Sequence, residues 1–374
     1  MFCEILLNYL ENNKIIIYGS GNNGLYTYHF LKSNNIDIMG FADIKASEGD
    51  YTIEDKICKH IKKYQPFSDK IIIVTPYEEN EEIVEYLKSE GCDNCIEWYE
   101  MERLFNLSKF QINGDLFIPE LQRNAKLKNL YSNNRCFIVG NGPSVAKQDL
   151  SVLKNEFVFT VNTGYLMKQF ELLNTNFHVF VDSMFFSDRL DKLEHDKFVM
   201  DLKKYMGNKV KCFFPYTKSI NFIKSYGLDN ILDVFYLEEN LQDFWTYKDI
   251  DFTKNTPLTG TVVLTSVMLA MYMGFNEIYL LGCDCTDVLT SIGSKIKKEK
   301  LVTYAWDNNV KQQKRLEKTL GNRSFEVIFR MQYLKFKTFR QINSICLKNG
   351  IKLLDCTPEG LLDCIDKVDF NSLF

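Results

Sequence analysis

The residues best suited to chemistry are short polar groups that directly follow predicted strands in the second part of the chain. They are Asn141, Asn162, Asp182 with Ser183, and Asp284 with Asp287. Because the carboxyl ends of parallel strands meet at one edge of a sheet, we expect these groups to border one ligand crevice. Carboxamides and carboxylates at such an edge can hold the hydroxyl, amino or phosphate groups of a ligand.

The stretch Gly140–Ser144, Gly-Asn-Gly-Pro-Ser, predicts a tight turn that leads from a strand into a helix. Glycine permits close approach of the backbone, proline suits the first helical turn, and Ser144 can cap it. The free amides of such a helix start can bind phosphate, which indicates a nucleotide site at Gly140, Asn141, Gly142 and Ser144. The alternative is a turn that only joins a buried strand to a helix.

A second helix start carries hydroxyl groups. Thr259, Gly260 and Thr261 precede Val262–Met273, a run that is apolar almost all round and is followed by Gly274. This pattern predicts a buried helix that ends at the glycine. Its amino terminus is a further place for phosphate or ribose contacts.

The first hundred residues contain a separate glycine motif. Gly19, Gly21 and Gly24 follow the apolar run Lys14–Tyr18, and Asp43 follows the next predicted strand. Strand, GxGxxG, helix, strand and an acidic residue about 20 positions on are typical of dinucleotide binding. These residues therefore form a predicted second nucleotide site, with a purely packing use of the glycines as the alternative.

Alternating strand and helix patterns predict the α/β class, with two Rossmann-like parallel-sheet domains. The small first domain covers residues 1–105, a less periodic linker covers 106–132, and the second domain covers 133–374. Helices are also predicted at Tyr51–Tyr64, at Val145–Asn155 and, with Gly350 beyond its end, at Phe325–Lys348.

Composition limits the functional classes. The 374 residues allow two domains with substantial cores, and a net charge of -4 offers no general attraction to nucleic acid. Eleven cysteines without framework spacing, and no secretory leader, predict reduced thiols in the cytoplasm. Cys92 and Cys95 form a lone CxxC pair, which indicates packed thiols more than a zinc or redox site. No apolar run reaches the roughly 18 residues that span a bilayer, so any membrane contact would be peripheral.

Six motifs of the second domain, taken in order, resemble those of a known enzyme group. They are Phe137–Ser144, Val161–Asn162, Val179–Phe186, Thr259–Thr261, Gly274–Asp284 and Ile351–Leu362. The series resembles bacterial sialyltransferases of the family that includes the Campylobacter lipooligosaccharide enzymes. It equally resembles a family of motility-associated and 6-hydroxymethylpterin pyrophosphokinase-like proteins.

The resemblance implies a modified Rossmann glycosyltransferase-like second domain that takes a nucleotide-activated, CMP-linked sugar without a metal or other cofactor. The acceptor would be a surface glycan or a flagellin-type protein. The first domain is similar to Rossmann-like accessory domains fused to such enzymes.

The resemblance also implies roles for single residues. Asn141 and Ser144 would face the phosphate and sugar, and Asn162 would contact the nucleotide. Asp182 takes the place of an asparagine near the cytidine or phosphate. The roles carried over for the remaining motifs are ribose and base contacts by Thr259, Gly260 and Thr261, and fixation of the nucleotide or sugar by Asp284.

One departure from the sialyltransferases concerns the general base, a histidine that this chain lacks in the corresponding region. An inverting transfer needs a group to take the acceptor proton, which is typically worth roughly 10² to 10⁴ in rate. We expect a carboxylate instead: Asp307 first, then Asp284 and Asp287. Tyr304 would donate to the leaving phosphate. The alternative for Asp307 is a surface turn or helix cap.

Two of the four histidines have predicted structural settings. His178 lies in an apolar strand and is expected to be a packed core residue. His195 lies in a charged helical segment and is expected to be solvated.

Three alternatives to the glycosyltransferase stay open. The first is a pyrophosphokinase-like enzyme with Mg²⁺ held by Asp182, Asp284 and Asp287. The second is a nucleotide-binding protein of the same fold without catalysis, and the third is an NAD-linked oxidoreductase built on the first glycine motif. The expected location is the cytoplasm or the inner face of the membrane, and a homo-oligomer is compatible with the sequence.

Overall fold

The computed structural model describes residues 2–76, 80–98, 101, 118–187, 190–240, 246–289, 291–292, 304–305 and 324–374. The chain divides into two compact units, Met1–Ile112 with Leu241–Asp243 and Asn113–Asn240 with Phe244–Phe374. Each unit is built on its own, largely parallel sheet. This confirms the predicted α/β class with two Rossmann-like domains.

The first unit contains a six-stranded sheet. Its elements are α1 (Phe2–Glu11), β1 (Lys14–Tyr18), α2 (Asn22–Ser33), β2 (Gly40–Ala42), β3 (Tyr51–Ile53), β4 (Lys56–Lys59), β5 (Lys70–Val74), α3 (Asn80–Ser89) and β6 (Cys95–Glu97). The strand order is β3-β4-β2-β1-β5-β6, and only the β3/β4 pair is antiparallel.

Both faces of this sheet are covered because its central strands are apolar throughout. Ile15 and Ile17 of β1 belong to a buried cluster with Phe30 of α2. The alternate residue Ile16 belongs to a cluster on the other face with Leu87 of α3. Side chains of a strand alternate between faces, so a continuous apolar run requires a cover on each side.

Residues 51–64, predicted as one helix, form the β3–β4 hairpin followed by a 3-10 turn at Ile61–Tyr64. The prediction was wrong because β-branched Ile53 and Ile57 favour strands and a tight turn separates them. Glu54 in that turn has a left-handed φ of 52°, which reverses the chain.

The second unit contains a seven-stranded sheet and carries the predicted site. Its elements are β7 (Arg135–Val139), β8 (Phe157–Val161), β9 (Phe177–Val179), α4 (Lys192–Tyr205), β10 (Lys211–Pro215), α5 (Tyr216–Ser225), β11 (Asp233–Leu237), β12 (Glu239–Asn240), β13 (Thr256–Pro257), α6 (Val262–Met273), β14 (Glu277–Leu281), α7 (Phe325–Lys348) and β15 (Lys352–Asp355). The order is β11-β10-β9-β8-β7-β14-β15 with parallel pairing, and β12 pairs separately with β13.

The strand order of the second unit reverses at β7. The chain builds β7 to β11 in one direction and then returns to the other side of β7 with β14. In open parallel sheets, a reversal of this kind leaves a crevice at the carboxyl ends of the two neighbouring strands, where ligands bind. The topology thus marks the ends of β7 and β14 as the place to look for a site.

Helix α6 is the apolar centre of the second unit. It has the predicted bounds and is buried from Val263 to Met273, so the prediction of a buried helix is confirmed. Gly274 ends it with a left-handed φ of 92°, and a Cβ there would lie 2.8 Å from Ser132 Oγ. No helix among the described residues is both long and apolar enough to cross a bilayer.

The long helix α7 also has its predicted bounds. Its residues Phe339, Ile342 and Cys346 belong to one buried cluster with α6 and one face of the sheet. The opposite face is covered by a second cluster that includes Phe198 of α4 and Ile223 of α5.

Residues 145–155, predicted as a helix, lie within two 3-10 turns, Pro143–Lys147 and Leu150–Asn155. Gln148 between them is extended, with φ −103° and ψ 142°. The side chain of Asp149 then caps the second turn. The prediction was wrong because an aspartate that bonds the backbone locally starts a new turn instead of continuing a helix.

Residues 118–132 of the predicted linker (106–132) pack in the second unit. Pro119–Leu127 forms a 3-10 helix. Within it, the fully buried Asn124 donates from its side-chain amide to two backbone carbonyls, each at 2.7 Å. These bonds build the segment into the second unit. The earlier part of the linker lies outside the described residues.

Candidate functional site

A cavity of about 260 Å³ lies where the strand order of the second unit reverses. Its wall comprises the turns after β7, β8 and β14, the start of α6, one stretch of α7, and Tyr304. The predicted site residues that line it are Asn141, Gly142, Asn162, Thr261, Asp284, Asp287 and Tyr304. The groups that follow three different strands thus surround a single space.

The turn after β7 packs directly against the turn after β14. Gly140 N donates to Leu281 O at 2.8 Å, and Gly142 N donates to Gly282 O at 3.0 Å. A Cβ on Gly140 would lie 2.6 Å from Gly282 O, and one on Gly142 would lie 1.8 Å from Asp284 Oδ2. Both glycines are therefore required by close backbone approach, and Gly140 itself does not line the cavity.

Asp284 connects these two turns. Its Oδ2 accepts a hydrogen bond from Ser144 Oγ at 2.8 Å, and its Oδ1 accepts one from Ser144 N at 3.2 Å. The carboxylate thus occupies the helix-start position that the sequence analysis assigned to phosphate. Ser144 is buried and does not line the cavity, so the structure does not bring it to the predicted ligand.

Asn141 is fixed by backbone groups on two sides. Its Nδ2 donates to Val161 O at 3.2 Å, and its own carbonyl oxygen accepts from Ala305 N at 2.9 Å. Its Oδ1 is enclosed and has no hydrogen-bond partner among the described residues. The side chain therefore joins the turn after β7 to the end of β8.

The backbone carbonyl of Asn162 is hydrogen-bonded to the ring of His178. Asn162 has a left-handed φ of 45°, and its carbonyl oxygen lies 2.8 Å from His178 Nε2. Because a carbonyl only accepts, Nε2 carries the proton, and Nδ1 accepts from Thr160 Oγ1 at 2.6 Å. Burial lowers the pKa of His178 to about 3, so the ring is neutral at pH 7. The expectation of a packed core residue is confirmed.

His195, expected to be solvated, is half-buried between α4 and α5. Its ring centroid lies 5.0 Å from that of Phe222 in an edge-to-face contact. Its Nε2 is enclosed without a hydrogen-bond partner among the described residues. The expectation was wrong because the charged composition of α4 does not reveal which of its faces packs on α5.

The start of α6 lies at the cavity wall, and the side chain of its N-cap residue makes no capping hydrogen bond. Thr261 precedes the helix in an extended conformation, and the first helical bond is Thr265 N to Thr261 O at 3.1 Å. Among the described residues, no side chain is recorded as a cap of this end, and Val262 and Val263 line the cavity beside Thr261. The positive end of a 12-residue helix dipole is thereby presented to a ligand.

Thr259 and Gly260 shape this helix start without lining the cavity. Thr259 is buried, and its Oγ1 donates to Thr261 O at 3.0 Å. Gly260 has a left-handed φ of 73°, a conformation that favours glycine. Their predicted direct contacts with ribose and base stay predictions.

Lys335 and Gln332 were missed by the sequence analysis. Both lie on α7 and bind Asp287: Lys335 Nζ donates to Oδ1 at 2.7 Å, and Gln332 Nε2 donates to Oδ2 at 2.5 Å. Lys335 lines the cavity and adds a positive charge to its wall. The one available signal is that the two residues are three apart on an amphipathic helix and so share a face.

Tyr304 lines the cavity, as its predicted role requires. Burial raises the pKa of Tyr304, and the charges of Asp182 and Asp287 act in the same direction. The hydroxyl is therefore protonated at neutral pH and able to donate. Asp307, the first candidate for general base, lies outside the described residues.

Asp182 and Ser183 do not line the cavity. Both are exposed, and Asp182 Oδ1 accepts from Met184 N at 2.9 Å as the cap of a 3-10 turn. The three-carboxylate magnesium set proposed with Asp284 and Asp287 is therefore not assembled around the cavity.

The second predicted nucleotide site, in the first unit, has its carboxylate engaged. Asp43 Oδ2 accepts from Ser20 N at 2.9 Å and from Ser20 Oγ at 2.5 Å. A Cβ on Gly24 would lie 2.1 Å from Gly19 O, so α2 packs directly on the loop, whereas Gly21 has open space. Close packing accounts for Gly19 and Gly24 but not for Gly21. Nucleotide binding at this loop stays a prediction.

The CxxC pair consists of free thiols. Cys95 Sγ donates to Cys92 O at 3.4 Å, and burial raises the pKa to about 12 for Cys92 and to about 11 for Cys95. No cluster of three or more His, Cys, Asp or Glu side chains within the described ranges is arranged to hold a metal. The pair agrees with the packed-thiol interpretation.

One comparison with known proteins concerns the same region. Residues 116–288 match the family model described as MptE-like, 6-hydroxymethylpterin diphosphokinase MptE-like. No curated protein matches the chain. The matched part contains the turns after β7, β8 and β14 and the start of α6, and it ends before α7. Over residues 116–288, the second unit is therefore similar to the MptE-like family, which is the pterin-pyrophosphokinase-like part of the sequence resemblance.

Proposed function

We propose that the second unit is a transferase that binds the phosphate of a nucleotide donor in the cavity at the β7/β14 reversal. The observation that carries this proposal is the convergence of Asn141, Asn162 and the start of α6 on one cavity. The donor we favour is a nucleotide-activated sugar, CMP-linked, with a glycan or protein hydroxyl as the acceptor.

The phosphate would lie against the start of α6. Backbone amides at an uncapped helix start and the ammonium group of Lys335 are both suited to an anion. A lysine ammonium has three donors, and one of them bonds Asp287. Such preformed donors stabilise charge that develops on a leaving phosphate, and one donor is typically worth about 10² to 10³ in rate. This arrangement needs no metal.

Among the described carboxylates, Asp287 is the best placed to take the acceptor proton. Its side chain lines the cavity and is 46% exposed while bonded to Lys335 and Gln332, whereas Asp284 is buried and bonded to Ser144. In the transfer, the acceptor oxygen bonds to the anomeric carbon, the sugar–phosphate bond breaks, and the proton passes to Asp287. Tyr304 would donate to the departing phosphate.

A second candidate is a diphosphokinase, which the MptE-like match favours. Such a reaction uses Mg²⁺ to shield the charge of a triphosphate. Mg²⁺ is bound through one or two carboxylates together with substrate phosphates, and Asp284 and Asp287 supply two on the cavity wall. Two carboxylates are therefore within the cavity wall even without Asp182, and both are bonded to protein donors there.

Calorimetric titration with CMP and with ATP, each with Mg²⁺ or with EDTA, separates the candidates. Metal-independent CMP binding supports the sugar transferase, and ATP binding that requires Mg²⁺ supports the diphosphokinase. A panel of nucleotide sugars then tests for product, and binding without product indicates the non-catalytic alternative. If neither nucleotide binds under any condition, the proposal is contradicted.

A further inference from the structure

A carboxylate that no sequence motif indicated lies behind the start of α6. Glu239 Oε1, on β12, accepts a hydrogen bond from Thr265 Oγ1 at 2.7 Å. Thr265 Oγ1 lies 2.9 Å from Thr259 Oγ1, which donates to Thr261 O at 3.0 Å. Since Thr261 lines the cavity, a series of short polar contacts connects Glu239 to the candidate site.

We infer that Glu239 is a positioning residue that couples proton uptake to the binding of a phosphate-bearing ligand at the start of α6. The inference rests on the function proposed for that cavity and adds a means of regulating it. Glu239 itself does not line the cavity, so it would act through the threonines and through its charge.

The protons available to Glu239 and the two threonines allow two hydrogen-bonding states. Each threonine hydroxyl has one proton, and the carbonyl of Thr261 only accepts. With Glu239 ionised, Thr265 donates to the carboxylate. With Glu239 protonated, the carboxyl can donate to Thr265 Oγ1, and the Thr265 hydroxyl can turn to Thr261 O, which lies 3.4 Å away. With Glu239 ionised, the two hydroxyl protons fill two of the three contacts, so the contact between Thr265 and Thr259 has no hydrogen. The protonated carboxyl supplies a third proton, so Thr265 can donate to Thr259 Oγ1 and all three contacts can be hydrogen bonds.

The surroundings of Glu239 place this change near neutral pH. Burial raises the pKa of Glu239 to about 7, the charge of Glu238 acts in the same direction, and hydrogen bonds from Thr265 and the charge of Lys218 oppose it. Glu238 accepts from Thr217 N at 2.9 Å and lies on the same segment, whereas Lys218 lies on α5.

Three other cavity groups have raised pKa values and stay neutral in this range. Burial raises the pKa of the Cys283 thiol, of Cys285 to about 12, and of Tyr304. These three groups therefore remain neutral between pH 6 and pH 8. Of Glu239, Thr265 and Thr259, Glu239 is the one whose pKa lies between pH 6 and pH 8.

The sign of the coupling follows from electrostatics. A phosphate at the start of α6 repels an ionised Glu239, because Glu239 bonds Thr265, which lies one helical turn, or about 5.4 Å, beyond Thr261. The ligand therefore binds the protonated form more tightly, and binding takes up a proton. Affinity should rise as pH falls through 7, by about fivefold between pH 8 and pH 6 at an effective dielectric constant near 20.

The test is calorimetric titration of the full-length protein with CMP, and with ATP plus Mg²⁺, at pH 6, 7 and 8. It compares the wild type with Glu239→Gln and with the control Glu171→Gln, an exposed glutamate of the same unit that does not line the cavity. The ligand phosphate has its own ionisation near pH 6, which affects all three proteins equally. We expect the extra fivefold pH dependence in the wild type and the control and its loss in Glu239→Gln.

The outcomes separate this inference from the proposed function. Binding with the same pH profile in the wild type and Glu239→Gln overturns the inference and leaves the function intact. Absence of binding by either nucleotide overturns both. If Glu239→Gln does not fold, the wild type is titrated at pH 7.5 in buffers of different ionisation enthalpy. This measures how many protons are taken up on binding. Net proton uptake on binding is expected, and binding without uptake overturns the inference.

Discussion

The hydrogen bonds between Asp284 and Ser144 hold the turn after β7 against the turn after β14. Asp284→Ala would leave the amide and hydroxyl of the buried Ser144 unpaired, and we expect a loss of about 2–3 kcal/mol of unfolding free energy. Ser144→Ala removes one of the two donors and should cost about 1–2 kcal/mol. Chemical denaturation of both single variants measures these losses.

The double variant tests whether the two residues act together. Because both single changes remove the same interaction, the combined loss should be smaller than the sum of the two. Additive losses would show that Asp284 stabilises the unit through some other contact. A Ser144→Ala variant as stable as the wild type would contradict the pairing itself.

Gly142 should tolerate no side chain. A Cβ there would lie 1.8 Å from Asp284 Oδ2 and 2.6 Å from Gly282 O, and the latter is backbone that cannot rotate away. We expect Gly142→Ala to lower the unfolding free energy by about 1–3 kcal/mol, as overpacking typically does. The matched control is Gly21→Ala, since a Cβ at Gly21 meets nothing within 4 Å. Equal stability of the two variants, in denaturant titrations, would refute the close approach.

Single residues differ in how far the sequence predicts their place. Asn141, Asn162 and Thr261 could be assigned to one edge of a sheet because each follows an apolar strand or precedes an apolar helix. The partner of Ser144 could not be foreseen, since Asp284 is 140 positions away and meets it only through the strand order. The sequence therefore indicated which residues line the cavity. It did not indicate the hydrogen bonds within the protein that already occupy some of their polar groups.

At the scale of elements, α7 supplies a positive charge to the cavity wall, Lys335. We expect Lys335→Gln to weaken nucleotide binding about tenfold, because a charge-assisted hydrogen bond to phosphate is worth about 1.5–3 kcal/mol. Lys348→Gln is the matched control, with the same change of charge at the exposed far end of the same helix. Calorimetric titration with CMP or ATP compares them, and similar affinities of both variants would remove Lys335 from the site.

Two helices with clear sequence signals were predicted with their correct bounds. Helix α6 combines an apolar run with a terminal glycine, and α7 combines a long amphipathic period with Ser324, whose side chain caps Val327 N. Residues 51–64 and 145–155 were misjudged because local turns, at Glu54 and at Asp149, interrupt patterns that look helical. A side-chain-to-backbone bond such as that of Asp149 competes with a helix, and the hydrophobic periodicity of the sequence does not reveal it.

At the scale of the whole molecule, the cavity is a consequence of strand order. The second unit places β14 beside β7, although six strands, in two sheets, separate them in sequence. That placement brings the polar ends of β7, β8 and β14 to the start of α6. Strand patterns alone predicted a parallel sheet, but they did not give the order of its strands, and hence not the position of the reversal.

The central claim is that the start of α6 and Lys335 hold the phosphate of a nucleotide. A crystal structure of the full-length protein grown with CMP, and one grown with ATP and Mg²⁺, tests it most directly. The account predicts a phosphate oxygen within about 3.2 Å of the first amides of α6 and of Lys335 Nζ. Nucleotide bound instead at the Gly19–Gly24 loop of the first unit, or a cavity without ligand at saturating nucleotide, would contradict it.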